Sequence, residues 1–145
     1  MDKILKFHIM AKRKYNYYQV SDDFGTETYE NYREAFADLE AKGLVQLPVI
    51  PEGCVHNAHM FYLKCRDLKE RTAFIRFLKE RDILAVFHYV PLHSAPAGLR
   101  FGRFSGEDVY TTRESDRLVR LPLYYGLTAD DQAKVIRAVR DFYRV

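Results

Sequence analysis

Five histidines, two cysteines and two arginines in a glycine-bearing stretch are the side chains of this sequence with chemistry to offer. Cys54, His56, His59 and Cys65 fall within twelve residues and are donor types that a tetrahedral zinc site uses. Their spacing argues against such a site. Structural zinc sites set ligand pairs on tight turns, whereas His59 and Cys65 stand at opposite ends of one apolar run that reads as a strand. The four are read as ordinary strand and turn residues, and no metal is expected.

His88 and His93 bracket Tyr89-Val90-Pro91-Leu92, one imidazole at the end of an apolar run and the other at the mouth of a long loop. Strand ends that open into loops are where sites are commonly built. The plainer alternative is a half-buried His88 and a solvated His93. Arg100 and Arg103, in the same glycine-bearing stretch, offer forked donors to a phosphate, or they are solvated loop charges. No phosphate-binding glycine motif, no Gly-x-Ser-x-Gly elbow and no carboxylate pair at catalytic spacing accompanies them. The basic, aromatic run from Met10 to Tyr18 has the composition to stack on a nucleic-acid strand. It is short, however, and 23 basic against 20 acidic residues leave a net charge of only +3, so no nucleic-acid partner is expected.

The 145 residues suffice for one domain that buries about two-thirds of its unfolded surface. A composition 48% hydrophobic and 30% charged, with 7 Gly and 5 Pro, is that of a globular chain. Two cysteines make no disulfide framework, and no apolar run approaches the length of a membrane span, so no membrane partner is expected. Asp2, Lys3 and Lys6 fall where a signal peptide needs apolar residues, and a reducing, cytoplasmic location is expected.

The elements that must hold these residues follow from periodicity. Tyr29, Tyr32, Phe36 and Leu39 share a helical face, and Gly43 stands where the helix ends. Leu44–Ile50 is a short extended run that Pro48 makes an edge or interrupted strand. His59–Cys65 reads as a strand. Asp67 with Glu70 reads as a capping box before a helix with Ala73, Phe74, Phe77 and Leu78 on one stripe. Ile83–Tyr89 is a second strand stopped by Pro91, and Leu92–Tyr110 is a long loop of the functional kind. Thr111 with Glu114 opens a short helix, Arg120–Leu123 is a brief extended segment, and Thr128 with Asp131 caps a last helix. These elements predict an α+β fold in two layers, a small, mainly antiparallel sheet with helices on one face.

From about Tyr29 to Tyr143 the chain resembles the C-terminal small domain of the DegT/DnrJ/EryC1/StrS sugar aminotransferases. The residues that carry this are Tyr29–Phe36, Asn57–Tyr62 through Phe77-Leu78, and above all Val86-Phe87-His88-Tyr89-Val90-Pro91-Leu92-His93, followed by Glu114-Ser115 and Leu121–Tyr124. The wording is most similar to the branch that makes TDP-4-amino-4,6-dideoxygalactose. The resemblance implies the aspartate-aminotransferase fold and pyridoxal phosphate as cofactor. It implies amino transfer from glutamate to the 4-keto carbon of a nucleotide-linked 6-deoxyhexose, for enterobacterial common antigen, lipopolysaccharide or a related surface glycan, in a dimeric enzyme. It further implies that His93 faces the sugar nucleotide, with His88 and Tyr89 on the same wall and Arg100 and Arg103 as candidate contacts.

The departures from the family are as specific. The Schiff-base lysine, the acid that pairs with the pyridine nitrogen and the phosphate cup belong to a larger N-terminal domain. None of the nine lysines here stands in the family's lysine motif, and residues 1–25 do not resemble the end of that domain. The expected division is therefore 1–25 as a non-family segment and 26–145 as the small domain. No catalytic residue and no bound cofactor are expected of the chain alone. Self-association, or docking to a chain carrying the large domain, is expected through an uncovered apolar face on the helix from Tyr29 to Leu39. Two alternatives stand beside this reading, a non-catalytic interaction module and a small nucleotide-sugar-binding domain.

Overall fold

A computed structural model describes residues 25–145; residues 1–24, and the turn and basic run expected there, lie outside the described residues. The first helix, α1, occupies 25–41. After it come β1 (Phe61–Lys64), α2 (Leu68–Lys79), β2 (Val86–Phe87), a 3₁₀ turn (Leu92–Ser94), α3 (Pro96–Phe101), α4 (Thr111–Arg117), β3 (Leu118–Leu121) and α5 (Ala129–Tyr143). The three strands form one antiparallel sheet in the order β1-β3-β2. No helix among the described residues is long and apolar enough to cross a membrane.

Pairing puts Phe61 opposite Leu121 and Leu63 opposite Val119. These four side chains are buried, while Tyr62, Lys64, Leu118 and Arg120, which alternate with them, are half-buried. The sheet therefore has one core face, as its period-2 pattern requires. Onto that face α1 sets Tyr29, Tyr32, Phe36 and Leu39, α2 sets Phe74 and Leu78, and α5 sets Val135 and Val139. The Phe61 ring meets those of Tyr29 and Tyr32 at 5.1 Å. Removing side chains of this size from water stabilises the fold by about 1.5–3 kcal/mol each.

Local signals end the helices where the sequence reading placed them. Gly43, at φ +69°, closes α1 with its N–H on the Glu40 carbonyl and the Leu44 N–H on that of Leu39, a Schellman arrangement. Asp67 accepts from the Glu70 N–H at 2.8 Å, and the Glu70 carboxylate accepts from the Arg66 N–H. Thr128 accepts from the Asp131 N–H. Four expectations need correcting. Leu44–Ile50 makes only an isolated bridge, Gln46 to Lys64, because Pro48 has no N–H and the Leu47 N–H donates to the Glu40 side chain instead. The strand expected over Ile83–Tyr89 contracts to Val86–Phe87. Thr111 does not cap α4: the N-cap position is Tyr110, which makes no side-chain cap, and the Thr112 N–H donates instead to the carboxylate of Asp108, two residues before the cap, at 3.3 Å. The expected loop over Leu92–Tyr110 contains α3.

The fifth correction concerns the uncovered face. The stripe on α1 is sealed, and its side chains are at most 1% exposed. Polar bonds fasten the helix as well. Arg140 grips the Asp38 carboxylate with both guanidinium nitrogens at 2.8 and 3.0 Å, Gln132 donates to the Thr28 carbonyl at 2.7 Å, and the Tyr32 hydroxyl donates to the Pro122 carbonyl at 2.9 Å. The large apolar side chains left in solvent cluster instead between Leu84 and Tyr110, among them Phe87, Tyr89, Leu92, Leu99, Phe101 and Phe104.

Candidate functional site

That exposed segment carries the sequence-predicted residues. It leaves β2 at Phe87, passes through the 3₁₀ turn and doubles back as α3. Pro96 at the first position of α3 starts the helix with a preset φ. Gly98 allows it to lie against the turn, since a Cβ there would stand 1.7 Å from the Leu92 carbonyl oxygen. Beside this junction opens a cleft of about 500 Å³, walled by Leu92, Ala97, Phe101 and Phe104, with His93, Arg103 and Thr111 as its polar members.

His93 is the best-fixed side chain in this segment. Its Nε2 lies 2.9 Å from Asp108 Oδ2 and 3.3 Å from Thr112 Oγ1, and its ring centroid is 4.6 Å from that of Phe104. The Thr112 hydroxyl and N–H both donate to Asp108. These bonds, the hydroxyl's first, hold the Asp108 carboxyl below the usual carboxylate range, with a smaller contribution from His93. An ionised carboxylate only accepts, so His93 carries a proton on Nε2, while Nδ1 presents a lone pair in the neutral form of the ring and an N–H in the charged form. No bond from a described residue reaches Nδ1.

His88 and Tyr89 line a second cleft of about 710 Å³, which shares Leu92 and Thr111 with the first and includes Glu114 and Ser115. Arg120 Nη1 approaches His88 Nδ1 at 3.4 Å. Burial first, and then the Arg120 charge, push the His88 imidazole below its ordinary value. The Tyr89 carbonyl accepts from the Ser115 hydroxyl. The Glu114 carboxyl is lowered chiefly by Lys64, 2.8 Å away.

The structure thus brings His93 and Arg103 to one cleft and His88 and Tyr89 to its neighbour. Arg100 joins neither; its guanidinium lies 4.9 Å over the Phe101 ring. Asp108, Thr112 and Arg120 were not found from sequence, and Ser115 stood there only among the residues that carry the family resemblance. Asp108 left a trace as an acid four residues before Thr112. The Cys/His set does not converge. Cys65 is buried, accepts from the Tyr143 hydroxyl at 3.7 Å, and has its thiol pushed up to about 11 by burial. Cys54 is exposed, and His56 uses Nδ1 to accept from the Ala58 N–H.

A pyridoxal phosphate seat needs a recessed lysine, an acid for the ring nitrogen and donors for the phosphate. The described lysines do not fit it. Lys42, Lys69, Lys79 and Lys134 are exposed, and Lys64 is paired with Glu114.

The model of the DegT/DnrJ/EryC1/StrS aminotransferase family matches residues 25–140. A dTDP-3-amino-3,4,6-trideoxy-alpha-D-glucose transaminase of Micromonospora megalomicea is 32% identical over 114 residues, 77% of this chain and 30% of that protein. The aminotransferase TlmJ of Streptoalloteichus hindustanus superposes with a TM-score of 0.72 at 24% identity, over 85% of this chain and 32% of that one. NtdA of Bacillus subtilis, solved with bound PMP, superposes with a TM-score of 0.66 at 21% identity, over 81% and 27%. The chain spans about a third of the length of the curated relatives it matches, and the fold is that of part of an aminotransferase-fold enzyme. With the match running from α1 into α5, through β2, both clefts and the whole sheet, the chain belongs to the DegT/DnrJ/EryC1/StrS aminotransferase family.

Proposed function

We propose that the chain is the small-domain portion of a pyridoxal-phosphate-dependent nucleotide-sugar aminotransferase. The full reaction moves the amino group of glutamate to the 4-keto carbon of a nucleotide-linked 6-deoxyhexose, for enterobacterial common antigen, lipopolysaccharide or a related surface glycan. The cofactor and its lysine belong, in this reading, to a large domain that docks on the small one. The observation that carries the reading is the coincidence of two features on residues 84–110. The oriented groups (His93, Arg103, His88 and Tyr89) and the exposed apolar side chains lie on the same stretch of chain. A surface meant to stay wet has no use for Leu92, Leu99 and Phe101 at more than 70% exposure.

The part this chain plays is to bind and orient. His93, oriented by Asp108, offers its Nδ1, Arg103 offers a forked cation, and the apolar rim excludes water once covered. The test is the affinity of the chain for TDP-4-keto-6-deoxyglucose, by calorimetry, before and after His93→Ala. A loss of affinity supports the reading; unchanged affinity refutes the role of His93.

The exposed apolar side chains also favour a second property, association through this face with a copy of itself or with a chain carrying the large domain. Sedimentation at tens of micromolar checks it, and a clean monomer that ignores an added large domain counts against it.

A further inference from the structure

Resting on that reading, we infer that Arg71, a residue of α2 that lines neither cleft, is a positioning residue: its guanidinium holds the chain on both sides of His88 and thereby fixes the wall formed by His88 and Tyr89.

The need for such a hold follows from the sheet. Strand β2 has two residues, Val86 and Phe87, and pairs along one edge only, with β3. The ladder therefore ends where the chain turns out toward the cleft, and residues 88–91 are half-buried or exposed. Arg71 reaches this exit by two routes. Its guanidinium carbon lies 4.7 Å from the centroid of the Phe87 ring, a cation set on an aromatic face. Its Nη1 donates to the Ser115 carbonyl at 3.1 Å. That carbonyl stands in the last turn of α4, where carbonyls lack intrahelical donors and a cation is favoured. Ser115 in turn donates its hydroxyl to the Tyr89 carbonyl. One guanidinium thus bears directly on residue 87 and, through Ser115, on residue 89.

Fold stability does not account for this arrangement. Arg71 is half-buried, and its Nε is buried with no hydrogen-bond partner among the described residues. Leaving a buried donor unpaired costs stability, and exchanging buried charge for apolar side chains of similar size is often neutral or stabilising. Among the described residues three buried side-chain atoms lack a partner: Tyr29 Oη, Arg71 Nε and Arg120 Nε. Two of these belong to arginines that meet the chain at consecutive residues, Arg71 at Phe87 and Arg120 at His88. Departures from complete polar pairing are rare in folded chains and gather where a site requires them.

The test compares the native chain with Arg71→Met, Ser115→Ala and the double variant, with Arg76→Met, at an exposed position of the same helix, as control. In Arg71→Met the melting temperature should stay within about 2 °C of native or rise. The Tyr89 carbonyl shift and the amide shifts of residues 87–90 should move while those of β1 and β3 stay fixed. The His88 ring, held below its ordinary value by burial and by Arg120, should titrate at higher pH once the chain around it loosens. Calorimetric affinity for TDP-4-keto-6-deoxyglucose should fall at least about tenfold. The double variant should lose less than the two single variants together, because they share the route through Ser115. Arg76→Met should change none of these.

Native-like Tyr89 shifts and His88 titration in Arg71→Met overturn the inference, and so do strictly additive losses. A variant that fails to fold, or melts many degrees lower, marks Arg71 as a stabilising residue and overturns it as well. Full affinity in Arg71→Met despite a moved wall refutes the inference and leaves the proposed function standing. If the wall moves as expected but the native chain binds no nucleotide sugar, the hold by Arg71 stands and the proposed function fails.

Discussion

Substituting Gly98→Ala isolates the junction on which the His93 cleft rests. The added Cβ would lie 1.7 Å from the Leu92 carbonyl oxygen, 2.7 Å from its carbon and 3.3 Å from the His93 Cα. All three are backbone atoms, so no side-chain rotation relieves the contact. Non-bonded atoms settle at 3.5–4.0 Å, and α3 must therefore recede from the 3₁₀ turn by roughly 1.5–2 Å. Overpacking of a rigid site costs roughly 1–3 kcal/mol, yet α3 buries none of its side chains. The helix should undock and leave the core intact. The expected outcome is a melting temperature within about 2 °C of native, in contrast to the roughly 3–6 °C expected per kcal/mol if the core of a domain this size paid the cost. Amide chemical shifts should move for residues 91–104 and stay fixed in β1, β3 and α5, and nucleotide affinity should fall. Unmoved shifts in α3, or a large global drop in melting temperature, would refute the reasoning.

Three other perturbations test other parts of the structure. In Gln132→Met the Thr28 carbonyl and the Asn31 amide lose their partner between α1 and α5, which should lower unfolding free energy by about 1–3 kcal/mol in urea titrations; an unchanged midpoint would contradict the clamp. His56 is pushed below its ordinary value by burial first and by His59 second, against a raising influence from Glu30, and its Nδ1 must stay a lone pair to accept from Ala58. The unfolded chain therefore takes up this proton first, and stability should fall as pH drops through about 6.5 and be insensitive to this group above about 7.5. In His56→Asn, whose side chain can accept from the N–H two residues on, the urea midpoint should fall less between pH 7.5 and 5.5 than in the native chain. Finally, a thiol reagent should modify exposed Cys54 quickly and buried Cys65, with its raised thiol, only on unfolding; two fast thiols in the native chain would be the contrary result.

The elements legible in the sequence are those whose cause is local. The stripe Tyr29-Tyr32-Phe36-Leu39, the positive φ at Gly43 and the caps at Asp67 and Thr128 each need only a few neighbouring residues, and each has the form expected. The central strand is different. Leu118–Leu121 pairs with β1 more than fifty residues away and with β2 more than thirty away, and nothing within its own four residues says that it sits in the middle of the sheet. Helix α3 was hidden because Pro96, Gly98 and Gly102 are loop formers by composition. Here Pro96 occupies the one helical position that suits it, and Gly98 is required by a close approach to the turn. At the site, His93 and Arg103 were visible as types, and their convergence depends on how α3 folds back. Asp108, which fixes His93, comes from beyond that fold.

The face left open follows from the same distinction between local and non-local causes. An amphipathic helix such as α1 announces that one side must be covered without announcing by what, and the sheet and α5 turn out to cover it. The residues that remain exposed, from Leu84 to Tyr110, follow neither a helical nor a strand period, so no face could be read from their spacing. They form one only because β2 is two residues long and the chain then leaves the sheet. The same segment carries His88, Tyr89, His93 and Arg103, and this ties the two properties together. Whatever covers Leu92, Leu99 and Phe101 must also border both clefts, which share Leu92 and Thr111. Excluding water there strengthens every hydrogen bond that Nδ1 of His93 and the guanidinium of Arg103 make to a ligand. A covering partner and a nucleotide should therefore each tighten the binding of the other by the same factor, as reciprocity of coupling requires. Equal nucleotide affinity with and without an added large domain would show the face and the clefts to be independent.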